Sequence, residues 1–179
     1  MCLTRKVKIS SLLSGLMLYA AVVGAATCEE ILRLEAIQQP GTVWVCRGEA
    51  NVQSGTQRLM FRDTAHATVV SVSDKSKRYR MERVSTLNGA VRARYTYEMT
   101  SRMTEDASVE EIDSNTIHIS YPEDAEENFR LYRLFRDHVN SRQPFEDVQI
   151  NRFPEWDIVP ALTDPTGMRY HCGPVRQED

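Results

Sequence analysis

The chain reads as a mainly β protein. It is an antiparallel meander of about seven or eight strands curling into a barrel or half-barrel, with a short N-terminal helix and a loop-rich C-terminal segment. Three observations lead there. Residues 90–101 alternate Val91, Ala93, Tyr95, Tyr97 and Met99 with Arg92, Arg94, Thr96 and Glu98, the two-residue period of a half-buried strand. Asn88-Gly89 sits just before that run and after another alternating stretch. This dipeptide favours a two-residue hairpin whose central residues both take positive φ. Further short β-branched or alternating stretches recur along the middle of the chain, as a meander requires.

The elements follow in order. Residues 1–26 have the layout of a secretory signal peptide: Arg5, Lys6 and Lys8, then an apolar run from Leu12, then the small residues Gly24, Ala25 and Ala26. The run is shorter than the roughly 20 residues of a membrane-spanning helix. Residues 28–38 place Ile31, Leu32, Leu34 and Ala36 with Ile37 at spacings near three and four, with Glu29 and Glu30 at the positive end of the dipole. Pro40-Gly41 stops that helix.

Strands are expected at 42–47, 57–63, 66–73, 77–85, 90–101 and 115–121, with a further short one at 109–112. In the fourth, Tyr79, Met81 and Arg83 share a face. Ile117 and Ile119 share a face in the seventh segment along the chain, 115–121. If the sheet curls, Tyr95, Tyr97, Met99, Ile117 and Ile119 form its interior. Residues 128–137 fit helix and strand periods alike, and a strand continues the meander. Beyond Asn140 lie five of the seven prolines. The domain reading is therefore a signal at 1–26, an antiparallel β domain with its helix at 27–140, and an irregular segment at 141–179 packing on the same domain. Trp156 is the expected plug of that segment, closing a barrel end or covering an edge.

Removing the signal takes away three of the 22 basic residues and none of the 25 acidic ones. An acidic exported domain argues against nucleic-acid binding, which needs a basic surface. The remaining positive charge is 17 Arg and only Lys75 and Lys77, read as outer-face ion pairs. Cys28, Cys46 and Cys172 also remain. In an oxidising compartment an odd count leaves one cysteine free, intermolecular or lipidated. Cys46 with Cys172 is the preferred disulfide, and Cys28 with Cys46 is the rival. Lipidation at Cys28 is disfavoured by Thr27 directly before it.

No catalytic or metal-ligand motif stands out. His66, His118, His138 and His171 show no metal-binding spacing. Asp137-His138 followed by Ser141 supplies triad residue types without triad geometry. No cofactor is implied. A cysteine in the first strand and another near the end resembles periplasmic lysozyme inhibitors and lipocalin-like proteins, and that resemblance carries over no residue roles.

The expected function is a periplasmic or secreted non-enzymatic binding protein. The curled sheet would hold an amphiphilic or anionic small molecule, lined by Tyr95, Tyr97, Met99 and Ile117 with Arg92 and Arg94 at the mouth. An alternative is an envelope protein-interaction module or inhibitor that docks through the acidic residues Glu123, Glu126 and Glu127. A third is an envelope hydrolase in which His118 or His138 meets a carboxylate.

Overall fold

A computed structural model of the chain describes residues 24–54, 56–121, 140–159 and 168–175. Among these residues the helix α1 (Cys28–Ile37) comes first. Ten strands follow: β1 (Val43–Ser54), β2 (Gln57–Val72), β3 (Ser76–Leu87), β4 (Ala90–Met103), β5 (Ala107–Ile112), β6 (His118–Ser120), β7 (Asn140–Pro144), β8 (Val148–Arg152), β9 (Glu155–Ile158) and β10 (Arg169–Pro174).

All strand pairs are antiparallel. The order across the sheet is β7-β5-β4-β3-β2-β1-β10-β9-β8, with β6 pairing on β4 beyond the stretch that β5 covers. The outermost strands, β7 and β8, are joined along the chain by a 3₁₀ turn at Phe145–Asp147. The sheet therefore nearly closes into a barrel, which removes most of the exposed edge an open sheet would carry.

The expected hairpin is present. Asn88 has φ 50° and Gly89 φ 84°, and the Asn88 side-chain oxygen accepts from the Met60 amide at 2.8 Å. The predicted strands at 57–63 and 66–73 are one strand, β2. Asp63 and Thr64 look like a break because a carboxylate inside a strand is costly without partners. Here Asp63 faces inward and has them.

The segment after Asn140 also differs from expectation. Its described residues are not irregular throughout, because they supply the short strands β7 to β10 to the same sheet. β10 runs along β1 from Trp44↔Pro174 to Glu49↔Arg169. Pairing the free edge of β1 satisfies a row of backbone N–H and C=O groups, and this outweighs weak local propensity. The prolines punctuate these strands: Pro144 and Pro174 are the last residues of β7 and β10, and Pro154 lies between β8 and β9.

Cys46 and Cys172 are directly opposite in the β1–β10 register and form a disulfide. The bond spans 126 residues of sequence. In the chain-entropy picture a closed loop of that size stabilises by about 5 kcal/mol. Cys28 is not a free thiol in this structure, which is the paired outcome rather than the free or lipidated one, and the signal-peptide reading turns on residues 1–23, which lie outside the described residues. No helix among the described residues is long and apolar enough to cross a membrane.

α1 seals one end of the barrel. Thr27 caps it: the Thr27 hydroxyl accepts from the Glu30 amide at 3.3 Å, and the Glu30 carboxylate accepts from the Thr27 amide at 2.8 Å. That reciprocal box satisfies two otherwise unpaired donors, and the Thr27 backbone bond holds the Glu30 pKa below its ordinary value. Ile31 and Leu34 are buried, each contributing about 2 kcal/mol of apolar burial. Two polar ties fix the helix to β3. Tyr79 donates to the Gln38 side chain at 2.6 Å, and Lys77 meets both the Glu35 carbonyl and its carboxylate at 2.5 Å.

Candidate functional site: the barrel interior

The interior is set by strand parity. Tyr79 and Met81 of β3, Tyr95, Tyr97 and Met99 of β4, and Ile117 before β6 all lie in the buried core. Ile119 is partly buried against it. The neighbouring strands β1 and β2 present mostly small residues. β1 and β2 contribute Cys46, Gly48, Ala65 and Ala67 between the larger Trp44 and Val69. Small side chains on the inner face leave space beside the large ones, because the sheet's hydrogen bonds fix the strand positions.

That space is two adjoining cavities. The smaller, about 180 Å³, lies beneath α1 and is lined by Ile31, Leu34, Trp44, Tyr79, Trp156 and neighbours. The larger, about 630 Å³, includes Ala65, Arg83, Tyr97, Arg142, Asp147 and Tyr170. Six residues line both: Cys46, Met81, Met99, Glu110, Gln143 and Ile158. Trp156 sits on β9 opposite Cys172, and its ring lies 5.2 Å from that of Trp44 at a tilt of 52°. It thus lines the apolar end from within a strand.

The polar end is built on one cross-strand row. Tyr170, Gly48, Asp63, Ser85 and Ala93 are successive partners from β10 to β4. Gly48 is required by this row. A Cβ there would lie 2.6 Å from the Tyr170 ring and 2.8 Å from the Met168 sulfur. Without it the Tyr170 ring crosses β1, and its hydroxyl donates to Asp63 at 3.3 Å.

Asp63 is 1% exposed. It accepts from Ser85 Oγ at 2.9 Å and from Arg83 through both Nε, at 3.1 Å, and a terminal nitrogen. Burial works against the Arg83 charge, but Tyr97, Asp63 and Tyr170 around it outweigh that and raise its pKa. Burial pushes Tyr170 up to about 12, assisted by Asp63. Burial also raises Tyr97, with Arg83 opposing. These groups are neutral phenols around a charged, satisfied Asp–Arg pair.

Glu110 is the other inward carboxyl. It lies opposite Ser101 on β4 and Ser141 on β7, and accepts from Ser141 Oγ at 3.0 Å. Burial raises its pKa, while the Ser141 bond and the nearby Arg83 pull it down.

The predicted ligand residues divide. Tyr97 and Met99 line the cavities, and Tyr95 and Ile117 are buried in the core beside them. Arg92 and Arg94 are exposed on the outer face, as the alternation demands once Tyr95 and Tyr97 face inward. Arg92 donates to the Tyr121 hydroxyl at 3.2 Å. The arginine that shares the inner face of these strands is Arg83, which pairs with Tyr95 across the hairpin and so does not share a face with Arg92 or Arg94. Glu123, Glu126, Glu127 and His138 lie outside the described residues.

His66 and His118 do not come together, since β3 and β4 separate their strands. Among the described residues no three His, Cys, Asp or Glu side chains are placed to hold a metal ion. His171 Nδ1 lies 2.8 Å from Asp157 on the outer surface, and Arg169 shares that carboxylate at 3.2 Å.

Asp63, Glu110, Tyr170 and Gly48 are site residues that the sequence reading passed over. A signal was present for two of them. Asp63 continues the face of Leu59 and Phe61, and Gly48 falls two residues from Cys46 in an otherwise β-rich run. Comparison with protein-family models, curated proteins and solved structures finds no match for this chain.

Proposed function

We propose that this protein is an exported, non-enzymatic binding protein whose barrel interior holds a small amphiphilic molecule. The observation that carries the reading is the pair of joined cavities, one apolar beneath α1 and one polar around Arg83 and Glu110. A mostly apolar hollow with a few fixed polar groups is the usual form of a small-molecule site. The N-terminal signal pattern and the Cys46–Cys172 disulfide support export to an oxidising compartment. Tyr97 and Met99 are the lining residues retained from the sequence reading, with Tyr95 and Ile117 as the wall behind them.

The test is native mass spectrometry on protein recovered from the periplasm of an expressing bacterium. A small-molecule adduct lost on denaturation is expected. Tyr97→Ala and the cavity-filling Ala67→Phe should both reduce the adduct while the disulfide-bonded fold persists. A bare wild-type chain, or an adduct indifferent to both substitutions, overturns the reading.

A further inference from the structure

The charges around the interior do not balance, and the imbalance selects a ligand. The larger cavity is lined by two bases, Arg83 and Arg142, and two acids, Glu110 and Asp147. Both bases are already engaged. Arg83 is forked onto Asp63, itself not a lining residue, and Arg142 meets Asp106 at 2.5 Å. Lys77, beside the smaller cavity, is held by Glu35. Among the described residues Glu110 and Asp147 accept side-chain hydrogen bonds only from neutral donors, Ser141 for Glu110 and Gln143 for Asp147, and neither forms an ion pair, although Arg83 lies near enough to Glu110 to act on its charge. An anionic headgroup would meet two unpaired carboxylates and only guanidinium groups that already hold a carboxylate. A cationic headgroup would complete the pairing, and charge-assisted bonds in a confined site are the strong ones.

Position supports the same choice. Glu110 lines both cavities, so it stands where a head would sit when the tail fills the space beneath α1. Ser101 and Ser108, hydrogen-bonded to each other at 2.6 Å, and Gln143 lie on the same lining and offer further acceptors. Resting on the binding reading above, we infer that the preferred ligand is an amphiphile with a protonated amine or guanidine head, seated against Glu110, with its alkyl or aryl tail in the cavity beneath α1.

The experiment compares three ligands with one tail and different heads: decylamine, decan-1-ol and decanoate. Each is titrated calorimetrically into the mature, oxidised protein at neutral pH and below micelle formation. Decylamine should bind about tenfold more tightly than either of the others, the scale of one charge-assisted contact. Glu110→Gln, which keeps the Ser141 hydrogen bond, should lower decylamine affinity about tenfold. Glu111→Gln removes the same charge from the next residue, which is exposed and faces outward, and should change nothing. That control separates an interior contact from general attraction of amines to an acidic protein. If Glu110→Gln fails to fold, Asp147→Asn serves instead, with a smaller loss expected. Decanoate binding as well as decylamine, or decylamine binding unchanged in Glu110→Gln, overturns the inference and leaves the binding reading standing. Failure of all three ligands to bind overturns both.

Discussion

The two ends of the barrel interior are stabilised by different physics. At the end beneath α1, Trp44, Trp156, Tyr79, Ile31 and Leu34 meet through apolar contact. At the other end Asp63, Arg83, Ser85 and Tyr170 meet through hydrogen bonds around a buried charge pair. Apolar contact is graded, so each lost methylene costs a similar increment. A buried charge pair is close to all-or-none, because removing one partner strands the other in a poor solvent. Glu110 lies between these regimes, as a half-buried inward carboxyl with a neutral hydrogen-bond donor and no ion pair among the described residues.

The largest effect should come from breaking the polar end. Asp63→Asn leaves the Arg83 guanidinium inside without its carboxylate, and should cost about 3–5 kcal/mol by urea denaturation. Replacing the pair together, Asp63→Leu with Arg83→Met, should recover most of that loss. Equal loss in the single and double variants would mean that the row is held by packing rather than by charge.

The apolar end should respond less. Trp156 is half-buried, so Trp156→Ala should cost about 2–3 kcal/mol, somewhat under the range for a fully buried tryptophan. The Trp44 fluorescence should shift to longer wavelength as its ring contact is lost. A loss as large as that of Asp63→Asn would erase the distinction between the two ends.

The smallest effect carries a sign. Burial raises the Glu110 pKa above its ordinary 4.5, so the folded state holds the proton more tightly than the unfolded chain. Its contribution is most favourable below the ordinary value and is lost as pH rises through the native pKa. Glu110→Gln should therefore stabilise the protein slightly at neutral pH, where the wild-type carboxylate is charged against its preference. The gain should vanish below about pH 4, where both states of the wild type are protonated. Thermal unfolding of both proteins across that range checks it. A gain that persists undiminished in acid would show that Glu110 is destabilising for a reason other than its charge.

Much of the barrel was legible because its longest strands obey a local rule. In β4 the alternation from Val91 to Met99 fixes the inward face with no knowledge of a partner, and Asn88-Gly89 fixes the turn that sets its register with β3. The same parity already placed Arg83 with Tyr79 and Met81 on one face. It also excluded Arg92 and Arg94 from the face of Tyr95, a consequence the expectation of a shared ligand site passed over.

The short strands were less legible for an equally physical reason. β9 has four residues and β10 six, too few for a period to emerge, and prolines interrupt the run. Their pairing is decided by the open edge of β1, more than a hundred residues away in sequence. Ile117 and Ile119 kept their predicted inward face even though the strand expected there is mostly a 3₁₀ turn at Ser114–Thr116 and the brief β6. Thr116 bridges that irregularity by accepting the Glu98 amide through its hydroxyl at 2.8 Å.

Sequence alone determined what depends on neighbours along the chain: the helix and its stop, the hairpin, the inward face of the central strands and the parity of Arg83. Tertiary structure alone decided what depends on neighbours across the sheet. It joined Cys46 to Cys172, brought Tyr170 over Gly48 to Asp63 across 107 residues, and left Glu110 facing inward with no ion pair among the described residues. Local periodicity states which side of a strand a residue occupies. Only the closed sheet states what stands on the other side of the space it faces.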